Sequence, residues 1–158
     1  MIFDSENYTF IENGIKYDDE IINFNDVKCV YISGFNDPEE YARNLGSFEV
    51  KLYTKSNDEY IMAWSYNKSE IKKSFNDIKS KVAKNKNLKV YGSTIVNLEC
   101  ADRVGFAKRG TSRVKVVFKD GQKVKVENTP IQAIAMLRWK QIRKDLEKHR
   151  SKNPANVK

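Results

Sequence analysis

Residues 114–126, VKVVFKDGQKVKV, alternate apolar and mostly basic side chains on both sides of an Asp-Gly pair. Apolar residues at every second position are typical of a strand that buries one face. Asp120-Gly121 predicts a tight turn, because glycine accepts the positive φ that such turns require. The stretch therefore predicts an antiparallel hairpin with Val114, Val116 and Phe118 inward and the lysines outward.

A helix is predicted directly after this hairpin. Thr129 can cap it, and Pro130 suits the first helical position, where its missing N–H costs nothing. Apolar residues then recur at spacings of 4, 4, 3 and 4, which keeps them on one helix face: Ile131, Ala135, Trp139, Ile142 and Leu146. The order strand, strand, helix is the basic unit of the predicted fold.

The same pattern occurs earlier in the chain. Residues 50–62 align with 114–126 at a shift of 64, and the helical pattern continues with Phe75 on Trp139. Asn67 is the predicted cap of this first helix, with Glu70 three residues further on. A shift of 71 sets residues 27–35 over 98–106, so that Cys29 falls on Cys100 and both are expected to be buried at equivalent places. The alignment indicates a tandem duplication.

We therefore predict an α+β protein of two tandem repeats, each an antiparallel sheet followed by a C-terminal helix. The expected boundaries are an acidic repeat over 1–82, a linker over 83–89, a basic repeat over 90–148 and a flexible basic tail over 149–158.

Residues 8–81 resemble a small bacterial pleckstrin-homology-like domain. The resemblance is carried by ENGIKYDDEIINFNDVKCVYI, two further strands and a closing amphipathic helix. The duplicated strands and helix are also similar to the repeats of Pur-alpha and Whirly single-strand binders. The first resemblance implies an anionic lipid headgroup as ligand and the second implies single-stranded nucleic acid.

Charge is distributed unevenly along the chain. Residues 1–70 hold 6 basic and 14 acidic residues, a net charge of −8, whereas residues 71–158 carry +16. Such asymmetry is informative about partners rather than about fold. No apolar run approaches the roughly 20 residues of a transmembrane helix, and the N-terminus does not resemble a secretory signal. With two cysteines outside any C-x-x-C pair, a cytoplasmic location is expected.

No sequence motif indicates a catalytic activity. His149, the only histidine, falls in the predicted tail, and no nucleophile-elbow, phosphate-loop or zinc-protease motif occurs. The carboxylates of DPEEY (37–41) and of residues 18–20 are interpreted as acidic surface loops, because they lack the spacing of a calcium loop. We predict a non-enzymatic protein with no cofactor, no metal and no catalytic residue.

The predicted site is the basic hairpin of the second repeat, where the equivalent positions of the first repeat are mixed in charge. Its expected binding residues are Lys108, Arg109, Arg113, Lys115, Lys119, Lys123 and Lys125, with Lys108 and Arg109 in the preceding loop. Clustered lysine and arginine most often bind phosphate backbones. With no aromatic platform among these outward positions, base readout is not expected. Nucleic-acid backbone is the first predicted partner.

Three alternatives remain open at this point. The basic positions can simply be the solvated side of a sheet, since edge lysines also discourage aggregation. Tyr53 and Ile61, outward in the first repeat, suggest an interface with an acidic protein or with a second copy in a homo-oligomer. An anionic lipid headgroup is the third alternative.

Overall fold

The computed structural model describes residues 2–4, 8–82 and 84–152, and its strands form antiparallel sheets that are combined with helices. The predicted α+β class is confirmed. The chain divides into two compact units, Met1–Val96 and Asn97–Lys158. Within the described residues, no helix has the length and apolarity needed to cross a membrane.

Over residues 2–4, 8–82 and 84–96, the first unit contains two sheets and two α-helices. Its elements are β1 (Ile2–Asp4), β2 (Tyr8–Ile11), β3 (Gly14–Tyr17), β4 (Glu20–Asn23), a 3-10 turn (Phe24–Asp26), β5 (Val27–Ser33), α1 (Pro38–Arg43), β6 (Phe48–Thr54), β7 (Glu59–Ser65), α2 (Lys68–Val82), β8 (Leu88–Tyr91) and β9 (Thr94–Asn97). One sheet has the order β1-β7-β6-β5-β9-β8 and the other has the order β2-β3-β4.

Helix α2 begins and packs as its sequence predicts. The Asn67 side chain accepts hydrogen bonds from the backbone N–H groups of Ser69 (2.9 Å) and Glu70 (3.1 Å), which confirms the predicted cap. The helix packs on β5, β6 and β7. Its buried apolar residues join the core of the first unit: Ile71, Phe75, Ile78 and Val82.

The second unit is one three-stranded sheet covered by one helix. Its elements are β10 (Ala101–Arg109), β11 (Thr111–Phe118), β12 (Lys123–Thr129) and α3 (Gln132–Lys152), with sheet order β10-β11-β12. The predicted inward residues are buried, among them Val114, Val116 and Phe118. Gly121 turns the chain with φ of 94°, as the Asp-Gly pair predicts.

The two units share strand order and register. Each unit has a meander of three strands followed by a helix. These elements are β5, β6, β7 and α2 in the first unit, and they correspond to β10, β11, β12 and α3 in the second. The β6–β7 pairing has a bulge between Val50 and Lys51, and the β11–β12 pairing has one between Val114 and Lys115, an offset of 64. Helix α3 also begins 64 residues after α2. The predicted shift of 64 therefore matches the observed register.

The predicted upstream shift of 71 is wrong, and the structure gives 74. Val27 lies opposite Thr54 as Ala101 lies opposite Phe118, and each pairing is followed by a bulge. Cys100 therefore corresponds to Asp26 rather than to Cys29. Consistent with this, Cys29 is a buried strand residue, whereas Cys100 is half-buried in the turn before β10. Because the bulge is at the equivalent place in both units, the error lies in the length of the connection between β5 and β6, which a short alignment of residue types could not determine.

Several predicted boundaries differ from the observed ones. Strands β8 and β9, assigned to the second repeat from the sequence, join the first sheet, where β9 pairs with β5. Helix α3 begins two residues after Pro130, so that Ile131 occupies the cap position and the Thr129 hydroxyl accepts from its N–H at 3.1 Å. The helix continues to Lys152, beyond the predicted start of the tail at 149. Residues 83 and 153–158, parts of the predicted linker and tail, lie outside the described residues.

Two glycines provide a matched test of the β-sheet packing. A Cβ at Gly14 would lie 2.5 Å from the carbonyl oxygen of Ile22, whereas a Cβ at Gly105 would have nothing within 4 Å. We expect Gly14→Ala to lower the free energy of unfolding by about 1–3 kcal/mol through overpacking. Gly105→Ala should change it by less than about 0.5 kcal/mol. Urea denaturation of both variants measures the difference, and equal effects would contradict the close strand contact at Gly14.

Candidate functional site

The sheet of the second unit has one face toward α3 and one face away from it. Helix α3 packs on all three strands, and the buried residues of β11 alternate with half-buried basic ones. Residues directly opposite each other on antiparallel strands point to the same face. Because Lys115 lies opposite both Gly105 on β10 and Lys125 on β12, these three residues share the face away from α3.

The same reasoning assigns six basic side chains to this face, which we call the cationic face. Arg109 lies opposite Thr111, and Arg113 lies opposite Ala107, at alternate positions from the buried valines. Exposure is high for three of the six side chains and intermediate for the others. The cationic face consists of Arg103, Arg109, Arg113, Lys115, Lys123 and Lys125.

Along the edge strand β10, the cationic face lacks bulky side chains between Arg103 and Arg109. Gly105 and Ala107 are both exposed, and no atom lies within 4 Å of the place that a Cβ would take at Gly105. Gly105 also lies beside Lys115 in the register. The backbone of this edge strand is therefore accessible beside Arg113 and Lys115 of the central strand β11.

Few of these charges are neutralised within the chain. Arg103 pairs with Asp102 at 2.9 Å, and both side chains are largely exposed. Arg109, Arg113, Lys115 and Lys123 make no ion pair with any residue that the structure describes. Lysines directly opposite each other, such as Lys115 and Lys125, destabilise a sheet. Arg109, Arg113, Lys115 and Lys123 therefore leave positive charge at the surface without an ion-pair partner among the described residues.

The acid of β12 lies on the other side of the sheet. Glu127 accepts a hydrogen bond from Arg138 of α3 at 3.0 Å and forms a half-buried ion pair there. Trp139, one residue further along α3, donates its indole N–H to the backbone carbonyl of Val104 at 3.3 Å. The helix side of the sheet thus has an ion pair, whereas Arg109, Arg113, Lys115 and Lys123 on the cationic face have no ion-pair partner among the described residues.

Two predicted site residues do not join the cationic face. Lys108 lies in strand β10, not in a loop, opposite the buried Ser112. Its ammonium donates to the side-chain oxygen of Gln132, the first residue of α3, at 2.9 Å, so it is on the helix side. Lys119 is exposed in the turn after β11. Of the seven predicted residues, the structure brings five together: Arg109, Arg113, Lys115, Lys123 and Lys125.

Sequence reasoning missed Arg103 and Gly105. The bulge between Ala101 and Arg103 interrupts the alternation of β10, so a period of two could not assign these residues to a face. An alignment of β5 with β10 at an offset of 74 could have assigned Arg103 and Gly105 to this face, because it places them at the positions of Cys29 and Tyr31.

The equivalent face of the first unit has a different chemistry. Five of its equivalent positions hold two acids, one isoleucine, one cysteine and one lysine where the cationic face is basic, although the register is the same. The fold therefore does not require the charges of the second unit. The equivalent residues are Cys29 for Arg103, Glu49 for Arg113, Lys51 for Lys115, Glu59 for Lys123 and Ile61 for Lys125.

Tyr53, predicted as an interface residue, takes part in a hydrogen-bonded cluster of the first unit. Its ring stacks on Tyr31 with centroids 6.3 Å apart, and its hydroxyl donates to Glu59 at 2.8 Å. Burial and the neighbouring Glu59 raise the pKa of Tyr53. Burial opposes ionisation of Glu59, but the bonds from Tyr53 and Lys51 outweigh it and lower the pKa of that carboxyl. Ile61, the other predicted interface residue, is 39% exposed.

His149 lies in the last turns of α3 and is half-buried. Burial lowers the pKa of its imidazole, and the nearby cations Lys119 and Arg150 lower it further, while Glu99 acts in the opposite direction. In the described part of the chain, no three His, Cys, Asp or Glu side chains are grouped in a way that could hold a metal ion.

Comparison with known proteins gives no match to a family model, to a curated protein or to a solved structure.

Proposed function

We propose that the cationic face is a binding site for the sugar-phosphate backbone of a nucleic acid, and that the protein acts by binding rather than by catalysis. The observation that carries this proposal is that four cations of this face, Arg109, Arg113, Lys115 and Lys123, make no ion pair with any residue that the structure describes. Like charges on neighbouring strands oppose folding, and the first unit has Glu49 and Glu59 at the positions of Arg113 and Lys123. A polyanion would convert this repulsion into attraction.

The binding would be electrostatic and tolerant of sequence. Ammonium and guanidinium groups make charge-assisted hydrogen bonds to phosphate oxygens and release condensed counterions. No aromatic residue belongs to the cationic face, and base-stacking platforms need one. The accessible backbone at Gly105 lets a strand of phosphates approach the sheet closely.

The matched strand order, register and bulges support a further proposal, that the two units arose by duplication. The resemblances to pleckstrin-homology-like domains and to Pur-alpha and Whirly repeats remain proposals, which a sheet followed by a C-terminal helix would suit. Cys29 and Cys100 form no disulfide, which would suit a cytoplasmic location.

A salt titration tests the proposed ligand. We expect the protein to bind duplex DNA, single-stranded DNA and RNA with a slope of log K against log salt of about −3 to −5, as four to six phosphate contacts would give. Fluorescence anisotropy with labelled 20-mers measures this. Vesicles with anionic headgroups serve as the control ligand at the same salt concentrations. Binding to vesicles alone, or a slope near zero with nucleic acid, would contradict the proposal.

A further inference from the structure

The first turns of α3 expose three large apolar side chains. Ile131, Ile134 and Leu137 are 55%, 45% and 70% exposed, and they follow one another at intervals of three residues. Residues at this spacing are neighbours on or beside a helix. The buried residues of α3, such as Ile142, lie on the opposite side of the helix from Leu137. Clusters of exposed apolar side chains mark contact sites.

A row of lysines continues this surface toward the C-terminus of α3. Lys140, Lys144 and Lys148 are all exposed and lie four residues apart, with a rise of about 6 Å between successive ones. None of them forms an ion pair with a residue that the structure describes. Like charges four residues apart destabilise a helix. We call Ile134, Leu137, Lys140, Lys144 and Lys148 the helix surface.

The first unit has a hairpin tip with the complementary chemistry. Strands β3 and β4 are joined by Asp18 and Asp19, followed by Glu20 and by Ile21, which is 71% exposed. The carboxylates of Asp18 and Asp19 make no ion pair within the described residues. Glu20 accepts a hydrogen bond from Tyr60. Lys16, opposite Ile21 in the register, is the one cation in this hairpin.

We propose that the hairpin tip of one copy docks onto the helix surface of a second copy. Ile21 would pack against Leu137 and Ile134, and Asp18 and Asp19 would lie beside the lysine row. Charge complementarity identifies the hairpin tip as the partner of the helix surface. Each surface has an exposed apolar side chain beside charges, and these charges are negative at the tip and positive on the helix. Two helix surfaces paired with each other would instead set lysines against lysines or against apolar side chains.

The contact is heterologous, because two different patches of the same chain meet. It uses residues outside the cationic face, so it does not depend on the proposed function. It also predicts association between copies that carry complementary defects. A copy with a damaged tip and a copy with a damaged helix surface would each fail to self-associate, yet together they would form one intact contact.

Sedimentation velocity of the full chain tests this with Ile21→Lys and Leu137→Glu. We expect the weight-average sedimentation coefficient of the parent protein to rise as its concentration is raised from about 1 to about 300 µM, the range in which weak interfaces associate. Each variant alone should associate at least about tenfold more weakly. An equimolar mixture should form a one-to-one dimer and no larger species. Circular dichroism checks that both variants, which change exposed side chains, remain folded.

Three results would overturn the proposal. One is a parent that stays monomeric over the whole range. Another is a loss of association with Leu137→Glu but not with Ile21→Lys, which would give the helix surface a different occupant, such as a second α3. The third is a mixture of the two variants that remains monomeric although each variant alone has lost association.

Discussion

Replacing Lys115, Lys123 and Lys125 together by glutamate should lower the affinity for nucleic acid by about 1000-fold at a fixed salt concentration. Each loss of a phosphate contact costs about 1.4 kcal/mol, a factor of ten. The slope of log K against log salt should flatten by up to about three units, because three fewer counterions are released. The side chains point away from α3, so each substitution should alter stability by about 0.5 kcal/mol or less.

The matched control for this triple variant changes net charge equally but leaves the cationic face intact. Lys73, Lys79 and Lys86 of the first unit are exposed and can be replaced by glutamate. We expect the control to bind nearly as the parent does. If both triple variants lose affinity to the same extent, net charge rather than the cationic face governs binding. If neither loses affinity, the cationic face is only a solvated side of the sheet.

The second large effect concerns the packing of the two helices. Ile78 and Ile142 are both fully buried and occupy equivalent positions of α2 and α3. We expect Ile78→Ala and Ile142→Ala each to lower the free energy of unfolding by about 2–5 kcal/mol, through lost burial and the cavity that remains. This is a large part of the 5–15 kcal/mol of a typical domain. Urea denaturation followed by circular dichroism measures both changes.

Exposed positions on the same two helices provide the controls for these core variants. Asn76 on α2 and Lys144 on α3 are exposed, and their replacement by alanine should change stability by about 0.5 kcal/mol or less. A variant Ile142→Ala that unfolds at the parent's urea concentration would contradict the packing of α3 on its sheet. The same result for Ile78→Ala would contradict the core of the first unit.

Local patterns in the sequence predicted local structure well. The alternation around Asp120-Gly121 predicted β11, β12 and the faces of their side chains, because burial on one face requires a period of two. The cap at Asn67 and the apolar positions of α2 were likewise predictable from neighbouring residues. These features depend on a few consecutive residues and little else.

Features that depend on distant pairing were not predictable in the same way. Strands β8 and β9 follow the linker and precede the second unit, and nothing in their residues indicates that β9 pairs with β5. The position of Lys108 depends on where β10 ends and on the start of α3, which supplies Gln132. The concentration of basic residues in the candidate site was therefore predictable from the sequence. Which of them share a face of the sheet could be assigned only from the pairing register of β10, β11 and β12.

The paired bulges constrain how this chain can change in evolution. A shift of one residue within β11 would exchange its two faces and move Lys115 into the core, so insertions and deletions between the bulges are excluded there. Substitution is then the route by which the outward residues can change, and Glu49 and Arg113 differ in charge at equivalent positions of the two units. The connection between β5 and β6 lies outside the paired segments, and there the first unit has 14 residues, including α1, where the second has one between β10 and β11. Variation in length and variation in charge are thus confined to different parts of the same unit.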